Sequence, residues 1–287
     1  MRKTVVSNTR TGGTGGTDRF GRFGVPELVV TTLALVSATI LLGIATKAAG
    51  AGLACDANWP LCDGGVLNLF PATFPSFFEW IHRVVAGIAG LFILGSAIVA
   101  WRTDTDRAVA IALTIGLVLT PVQVALGAGT VILYEIPILN LHFWTAIAIF
   151  CSFGIGAILV WEHRIPTKAV PQALGLATVL VPLQALLSPL VISSYTQVLQ
   201  TALYAVTLVF IGSLLLVAIV GRRRFDGWLS TVLTATPILG LLVAYFGRES
   251  VMGFDPVVVL AYTVITILAV LVYGWLGLRT RSIGAAN

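Results

Sequence analysis

Residues 78–101 read FEWIHRVVAGIAGLFILGSAIVAW, and no charged side chain occurs in this stretch after Arg83. A helix of about 20 apolar residues is long enough to cross the ~30 Å hydrocarbon core of a bilayer. The sequence contains eight stretches of this kind, at 26–46, 78–101, 108–131, 140–161, 171–193, 197–220, 228–246 and 256–278. Because such long runs do not alternate as barrel strands do, the sequence predicts an all-α polytopic membrane protein with eight transmembrane helices.

The composition excludes an ordinary soluble domain. Of the 287 residues, 57% are hydrophobic and only 10% are charged, whereas soluble domains carry about a quarter charged residues. The net charge of +5 comes from basic residues in short segments between the apolar spans. This pattern orients membrane helices and is not typical of a nucleic-acid-binding surface, so we expect no nucleic-acid partner.

The distribution of Lys and Arg predicts the orientation. With the N-terminus inside, only Lys47, Arg83 and Arg248 of the 17 basic residues fall on the outer side. We therefore expect a multi-pass protein of the cell membrane with both termini in the cytoplasm. Residues 1–25 are rich in Gly, Thr and Arg, and we expect them to form a disordered cytoplasmic tail.

The longest outer loop, residues 47–77, contains Cys55 and Cys62. Because the exterior is oxidising, the sequence predicts a disulfide bond between them, the alternative being two unpaired small residues. The third cysteine, Cys151, lies in the middle of the fourth span and is expected to be a buried, small apolar residue.

Two histidines are predicted to lie at matched depth in the membrane. His82 precedes Arg102 by 20 residues, His142 precedes Glu162 by 20, and both spans run from outside to inside. Neutral imidazole is a common axial ligand of haem iron, so the pair could hold a haem between two helices. The alternative for His82 is a polar residue at the helix end, at the headgroup level. His163 lies in an inner loop and is expected to be interfacial.

Glu79 and Arg83 flank His82 at the start of the second span. One interpretation is an ion pair at a helix end, which contributes a few tenths of a kcal/mol. The other is that Glu79 faces the same cavity as the histidine and acts as an acid/base or charge-stabilising carboxylate. Arg83 or Lys47 could then meet the propionates of a haem. The residues alone leave both interpretations open.

These motifs together resemble haem A synthase, the membrane enzyme that converts haem O to haem A for terminal oxidases. Residues 49–64, AGAGLACDANWPLCDG, are similar to the family's outer loop, which has two cysteines around Trp-Pro. Residues 79–83, EWIHR, match its E-x-x-H-R helix start, and residues 123–131, QVALGAGTV, are similar to a motif of the third span. His142 corresponds to the histidine that opens the fourth span. The resemblance covers spans one to four.

The resemblance implies a reaction and a role for several residues. The reaction is oxidation of a methyl group of haem O to a formyl group. The implied site has His82 and His142 as ligands of the haem iron, Glu79 as the catalytic carboxylate, and an outer disulfide between Cys55 and Cys62.

The resemblance also implies two pseudo-symmetric four-helix halves. The N-terminal half, residues 26–161, would contain the haem site and the cysteine loop, and the C-terminal half would span residues 171–278. Many relatives hold a second haem, a haem b, in the C-terminal half through two histidines. No histidine occurs in residues 164–287 of this chain, so we expect this second haem site to be absent.

The implied partners are haem O as the substrate, haem O synthase, an electron acceptor and membrane lipids, and the sequence leaves a homo-oligomer open. The main alternative function is a bis-histidine b-type cytochrome that transfers electrons without haem chemistry. Glu79 distinguishes the two functions, because electron transfer needs no carboxylate beside the ligand. A transporter is disfavoured, since charges spread over discontinuous helices are missing.

Overall fold

The computed structural model describes residues 24–55, 59, 62, 73–188, 190–192, 196–253 and 255–284. Within these residues all regular secondary structure is helical. Two short 3-10 helices, Ala51–Leu53 and Glu162–Arg164, accompany the long ones. The long helices are α1 (Val25–Ala48), α2 (Phe74–Arg102), α3 (Arg107–Ile132), α4 (Ile136–Trp161), α5 (Ala169–Leu187), α6 (Gln197–Arg224), α7 (Gly227–Gly253) and α8 (Pro256–Gly284).

The predicted fold class is confirmed, because all eight long helices have the length and apolar composition to cross a membrane. The fifth span ends earlier than predicted, at Leu187 instead of residue 193. Ser188 follows it in an extended conformation (φ −75°, ψ 154°) and precedes Pro189 in the sequence. Proline disfavours the helical conformation in the residue that precedes it, so Pro189 explains why α5 ends at Leu187. The predicted tail, residues 1–25, lies almost entirely outside the described residues and stays a prediction.

The helices contact one another in two sets of four. In the first set, α1 and α3 each contact both α2 and α4, and in the second set, α5 and α7 each contact both α6 and α8. Contacts between the sets run mainly from α1 and α4 to α6. The pseudo-symmetry of the two predicted halves stays a prediction.

A few polar contacts link helices inside this apolar structure. The hydroxyls of Thr32 in α1 and Ser96 in α2 lie 2.8 Å apart and share a hydrogen bond. Near the opposite end of the molecule from the cysteine loop, Glu162 pairs with Arg223 and Arg224 and so connects the end of α4 to the end of α6. Many large apolar side chains on the outer faces are exposed in the isolated chain, as expected where lipid is the surrounding solvent.

Candidate functional site

The cysteine loop between α1 and α2 begins with a sharp turn and contains a disulfide bond. Gly50 has a φ of +69°, in the left-handed region that favours glycine, and it turns the chain from α1 into the short helix Ala51–Leu53. Cys55 follows directly and is joined to Cys62 by a disulfide bond. Both cysteines are buried. The structure therefore contains the predicted pairing of these two residues.

Ser76 connects this loop to the first turn of α2. Its backbone N–H donates to the side chain of Thr73, the residue that caps the helix, at 3.3 Å. Its hydroxyl donates to the carbonyl oxygen of Ala54 at 2.7 Å. Its own carbonyl oxygen lies 3.7–3.9 Å from the two disulfide sulfur atoms. The position of the loop is therefore coupled to the helix turn that leads to Glu79.

Glu79 and Arg83 form an ion pair across one turn of α2. The Nε–H of Arg83 donates to Oε1 of Glu79 at 2.9 Å, and Glu79 is only 7% exposed. The same turn is attached to α1, since the hydroxyl of Thr46 donates to the carbonyl oxygen of Phe78 at 3.3 Å. The ion pair of the first interpretation is present, and it fixes the carboxylate one turn before His82.

Both candidate histidines pack against a glycine of a neighbouring helix. A Cβ atom placed on Gly43 of α1 would lie 2.9 Å from Cε1 of His82. A Cβ atom on Gly127 of α3 would lie 3.2 Å from Cε1 of His142. At either glycine position, the side chain of any larger residue would collide with the imidazole. The two glycines help to define the site, and only the second lies within a motif that the sequence singles out.

The imidazole nitrogens are incompletely paired. Nδ1 of His82 and Nδ1 of His142 are both buried and have no hydrogen-bond partner among the described residues. Nε2 of His142 lies 3.4 Å from the side-chain nitrogen of Gln123, and the two imidazoles are close enough to interact electrostatically. Buried polar atoms without a partner are uncommon in folded proteins. Two of them on histidines that interact electrostatically make this pair a candidate ligand site.

The chemistry of these side chains fits haem better than a free metal ion. Within the described ranges, no group of three or more His, Cys, Asp or Glu residues could hold a metal ion. Haem iron is already bound by its porphyrin nitrogens and needs only axial ligands, for which neutral imidazole is suited. His82 and His142 each retain a ring nitrogen for that purpose.

The two candidate propionate-binding cations have different surroundings. Arg83 is held by Glu79, as described above. Lys47 is exposed in the last turn of α1 and lies within electrostatic range of Arg248 in α7. Lys47 is therefore at the end of the first set of helices that carries the cysteine loop, and its ammonium interacts electrostatically with a residue of the second set.

Arg248 belongs to a polar cluster that the sequence interpretation missed. It is only 7% exposed, and its guanidinium donates to Oδ1 of Asn140 at 3.0 and 3.1 Å and to the hydroxyl of Tyr204 at 2.9 Å. The guanidinium also lies 4.3 Å from the ring centre of Phe143. Arg248 follows the seventh predicted apolar stretch by two residues and lies within α7. Because a charge in a membrane helix is costly, a basic residue so close to an apolar stretch is the signal that could have revealed this cluster.

Beside this cluster lies a cavity of about 30 Å³, lined in part by Arg248, Tyr204, Gln184 and Tyr262. A volume of that size accommodates one or two water molecules. The cavity is between α4 and the second set of helices, and its lining contains no histidine. The expected absence of a second haem stays a prediction.

The other histidine and the third cysteine that the sequence analysis considered lie away from His82 and His142. His163 is exposed in the 3-10 helix at the far end of α4, where the Nε–H of Arg164 donates to it at 3.3 Å. Cys151 is half-buried in α4 and packs against the apolar core.

Eight helices of membrane-crossing length make this a polytopic membrane protein. His82 and His142, with the buried carboxylate of Glu79 one turn before His82, form a candidate tetrapyrrole site. Residues 27–188 match the family described as "Cytochrome oxidase assembly protein", and the chain belongs to this family. The matched region includes α1 to α5 and therefore every candidate residue of the site.

Individual relatives match about half of the chain. The heme A synthase of Bacillus licheniformis is 34% identical over 150 residues, which cover 51% of this chain and 48% of the relative. The protoheme IX farnesyltransferase of Halobacterium salinarum is 34% identical over 139 residues, which cover 48% of this chain and 30% of the relative. The heme A synthase of Bacillus pumilus is 31% identical over 147 residues. The chain thus spans half or less of the length of these relatives, and no solved structure matches it.

Proposed function

We propose that this protein is a haem A synthase that oxidises a methyl group of haem O to a formyl group. The observation that carries the proposal is the pair of neighbouring imidazoles, each with a buried ring nitrogen that has no partner among the described residues. The family membership and the similarity to heme A synthases of two Bacillus species support it. The farnesyltransferase relative supports it less directly, because the match covers only 30% of that protein.

In this proposal haem O is the substrate, and His82 and His142 would hold its iron. The imidazoles would thereby orient the porphyrin. Gly43 and Gly127 set the position of each ring, since a Cβ at either glycine would contact it. Arg83 and Lys47 contribute the positive charges that would bind the propionates.

With water as the source of the formyl oxygen, oxidation of the methyl group releases four electrons and four protons, and the electrons pass to the electron acceptor. Glu79 is proposed as the carboxylate that accepts protons released in this oxidation. It is buried one turn before His82 and is held by Arg83, so its orientation is fixed before substrate binds. Fixed orientation matters because a positioned acid or base contributes roughly 10²–10⁴-fold to a rate. The outer loop, attached through Ser76, supports the turn that carries Glu79.

The experiment is co-expression of the protein with a source of haem O, followed by extraction and chromatography of the haems. Haem A should appear with the unchanged chain and should be lost in His82→Ala and His142→Ala. A matched control is His163→Ala, because His163 is exposed at the far end of α4. Production of haem A by both site variants would contradict the proposal.

A b-type cytochrome is the second candidate function. It is favoured by the Glu79–Arg83 ion pair, which gives the carboxylate a structural role without chemistry. A cytochrome would bind haem and change its oxidation state but would leave haem O unmodified. The same chromatogram therefore distinguishes the two functions.

The proposed setting follows from the sequence. In this proposal the protein lies in the cell membrane with both termini in the cytoplasm, haem O synthase supplies the substrate, and an electron acceptor takes up the electrons. These assignments rest on the Lys and Arg distribution and on the family.

A further inference from the structure

A groove at the end of α6, α7 and α8 is independent of the histidine site. Its volume is about 260 Å³. Its lining includes Arg224 from the end of α6 and Arg279 from α8. Asp226, between α6 and α7, and Trp228, in the first turn of α7, also line it. Two arginines from two different helices therefore converge on one recess. With Asp226 present, the groove retains a net positive charge.

The guanidinium groups of Arg224 and Arg279 could each bind an additional anion. The guanidinium of Arg279 makes no ion pair or hydrogen bond with the described part of the chain. Among the described residues, the acidic partner of Arg224 is Glu162, at a long 3.8 Å, because Arg223 takes the closer position on that carboxylate. Neither positive charge is closely neutralised by the part of the chain that the structure describes.

Aromatic side chains place the groove at the edge of the membrane. Trp228, in its lining, stacks on Trp275 with ring centres 5.8 Å apart, and the two tryptophans are 54% and 53% exposed. Exposed tryptophans at helix ends are typical of the headgroup level. Trp275 precedes Arg279 by one helical turn, so the aromatic surface leads directly to the charged one.

We propose that this groove binds the phosphate group of an anionic phospholipid, with Arg224 and Arg279 on the phosphate and the tryptophan pair beside the upper acyl chains. Basic pockets between helices at a membrane surface bind such headgroups. The chain's own N-terminal segment does not fit, since residues 1–23 contain five basic residues and one acidic residue. A lipid supplies both the negative charge and the apolar surface that the groove presents.

The test is native mass spectrometry of the full chain in detergent, titrated with phosphatidylglycerol or phosphatidylcholine. We expect tighter binding of phosphatidylglycerol, and a loss of about 25-fold in Arg224→Gln/Arg279→Gln, at about fivefold for each arginine. The control is Arg222→Gln/Arg281→Gln, which removes the same charge from the same two helices outside the groove lining. Arg224→Lys/Arg279→Lys should retain most of the binding.

Three results would overturn the proposal. The first is equal binding of the two lipids by the unchanged protein. The second is an equal loss in the groove pair and the control pair, which would indicate general surface charge. The third is displacement of phosphatidylglycerol by glycerol 3-phosphate at equal concentration, which would identify a free phosphate as the ligand. Because none of these residues contacts the histidine site, haem A production should be unchanged in the groove variants.

Discussion

Gly43→Ala is the substitution that most directly tests the geometry of the proposed ligand site. The new Cβ would lie 2.9 Å from Cε1 of His82, whereas carbon atoms in contact prefer about 3.5–4.0 Å. The imidazole or α1 must therefore move by roughly 0.6 Å or more. The backbone of α1 is not the limiting factor, because alanine is favoured over glycine in a helix by about 1 kcal/mol.

The expected effect on function is larger than the effect on stability. Overpacking costs about 1–3 kcal/mol, and the helix preference of alanine offsets part of it, so the protein should remain folded. A displaced ligand changes the position of the reacting group, and an error of about 1 Å can reduce a rate by roughly 100-fold. We therefore expect haem A production to fall by on the order of tenfold to 100-fold.

The assay is the ratio of haem A to haem O in extracts of co-expressing cells, normalised to purified protein. Gly127→Ala should have a smaller effect, because its Cβ would lie 3.2 Å from His142. Gly87→Ala is the control, since no atom lies within 4 Å of a Cβ at that position. If the Gly43 and Gly87 variants produce the same haem ratio, the packing of His82 against α1 does not determine function and the reasoning is refuted.

Three further predictions concern the same half of the molecule. Glu79→Gln should still bind haem but produce little haem A, and normal production in the chromatogram would favour the cytochrome. Cys55→Ser or Cys62→Ser should lose about 2–3 kcal/mol of loop restraint and so lower haem retention in purified protein, with the double variant no worse than either single one. The purified protein should contain one haem per chain by pyridine haemochrome assay, and a second haem that survives His82→Ala would show that another site exists.

The helices and the disulfide could be predicted because each depends on local pattern and chemical environment. Residues 78–101 form a membrane helix through apolar length alone, and α2 includes all of them. The pairing of Cys55 with Cys62 follows from two cysteines sharing one outer loop. The end of α5 at Leu187 differs from the prediction, but its cause is also local, because Pro189 is two residues further along the chain.

The surroundings of the site could not be predicted in the same way, because they depend on which helix faces which. Gly43 contacts His82 across 39 positions of sequence, and nothing in α1 alone distinguishes it from other small residues. Arg248 reaches Asn140 across 108 positions. Its charge was visible in the sequence as an outer basic residue, but its burial depends on the contact between α4, α6 and α7. A charge at the end of an apolar stretch therefore predicts that partners exist, and only the packing of the helices identifies them.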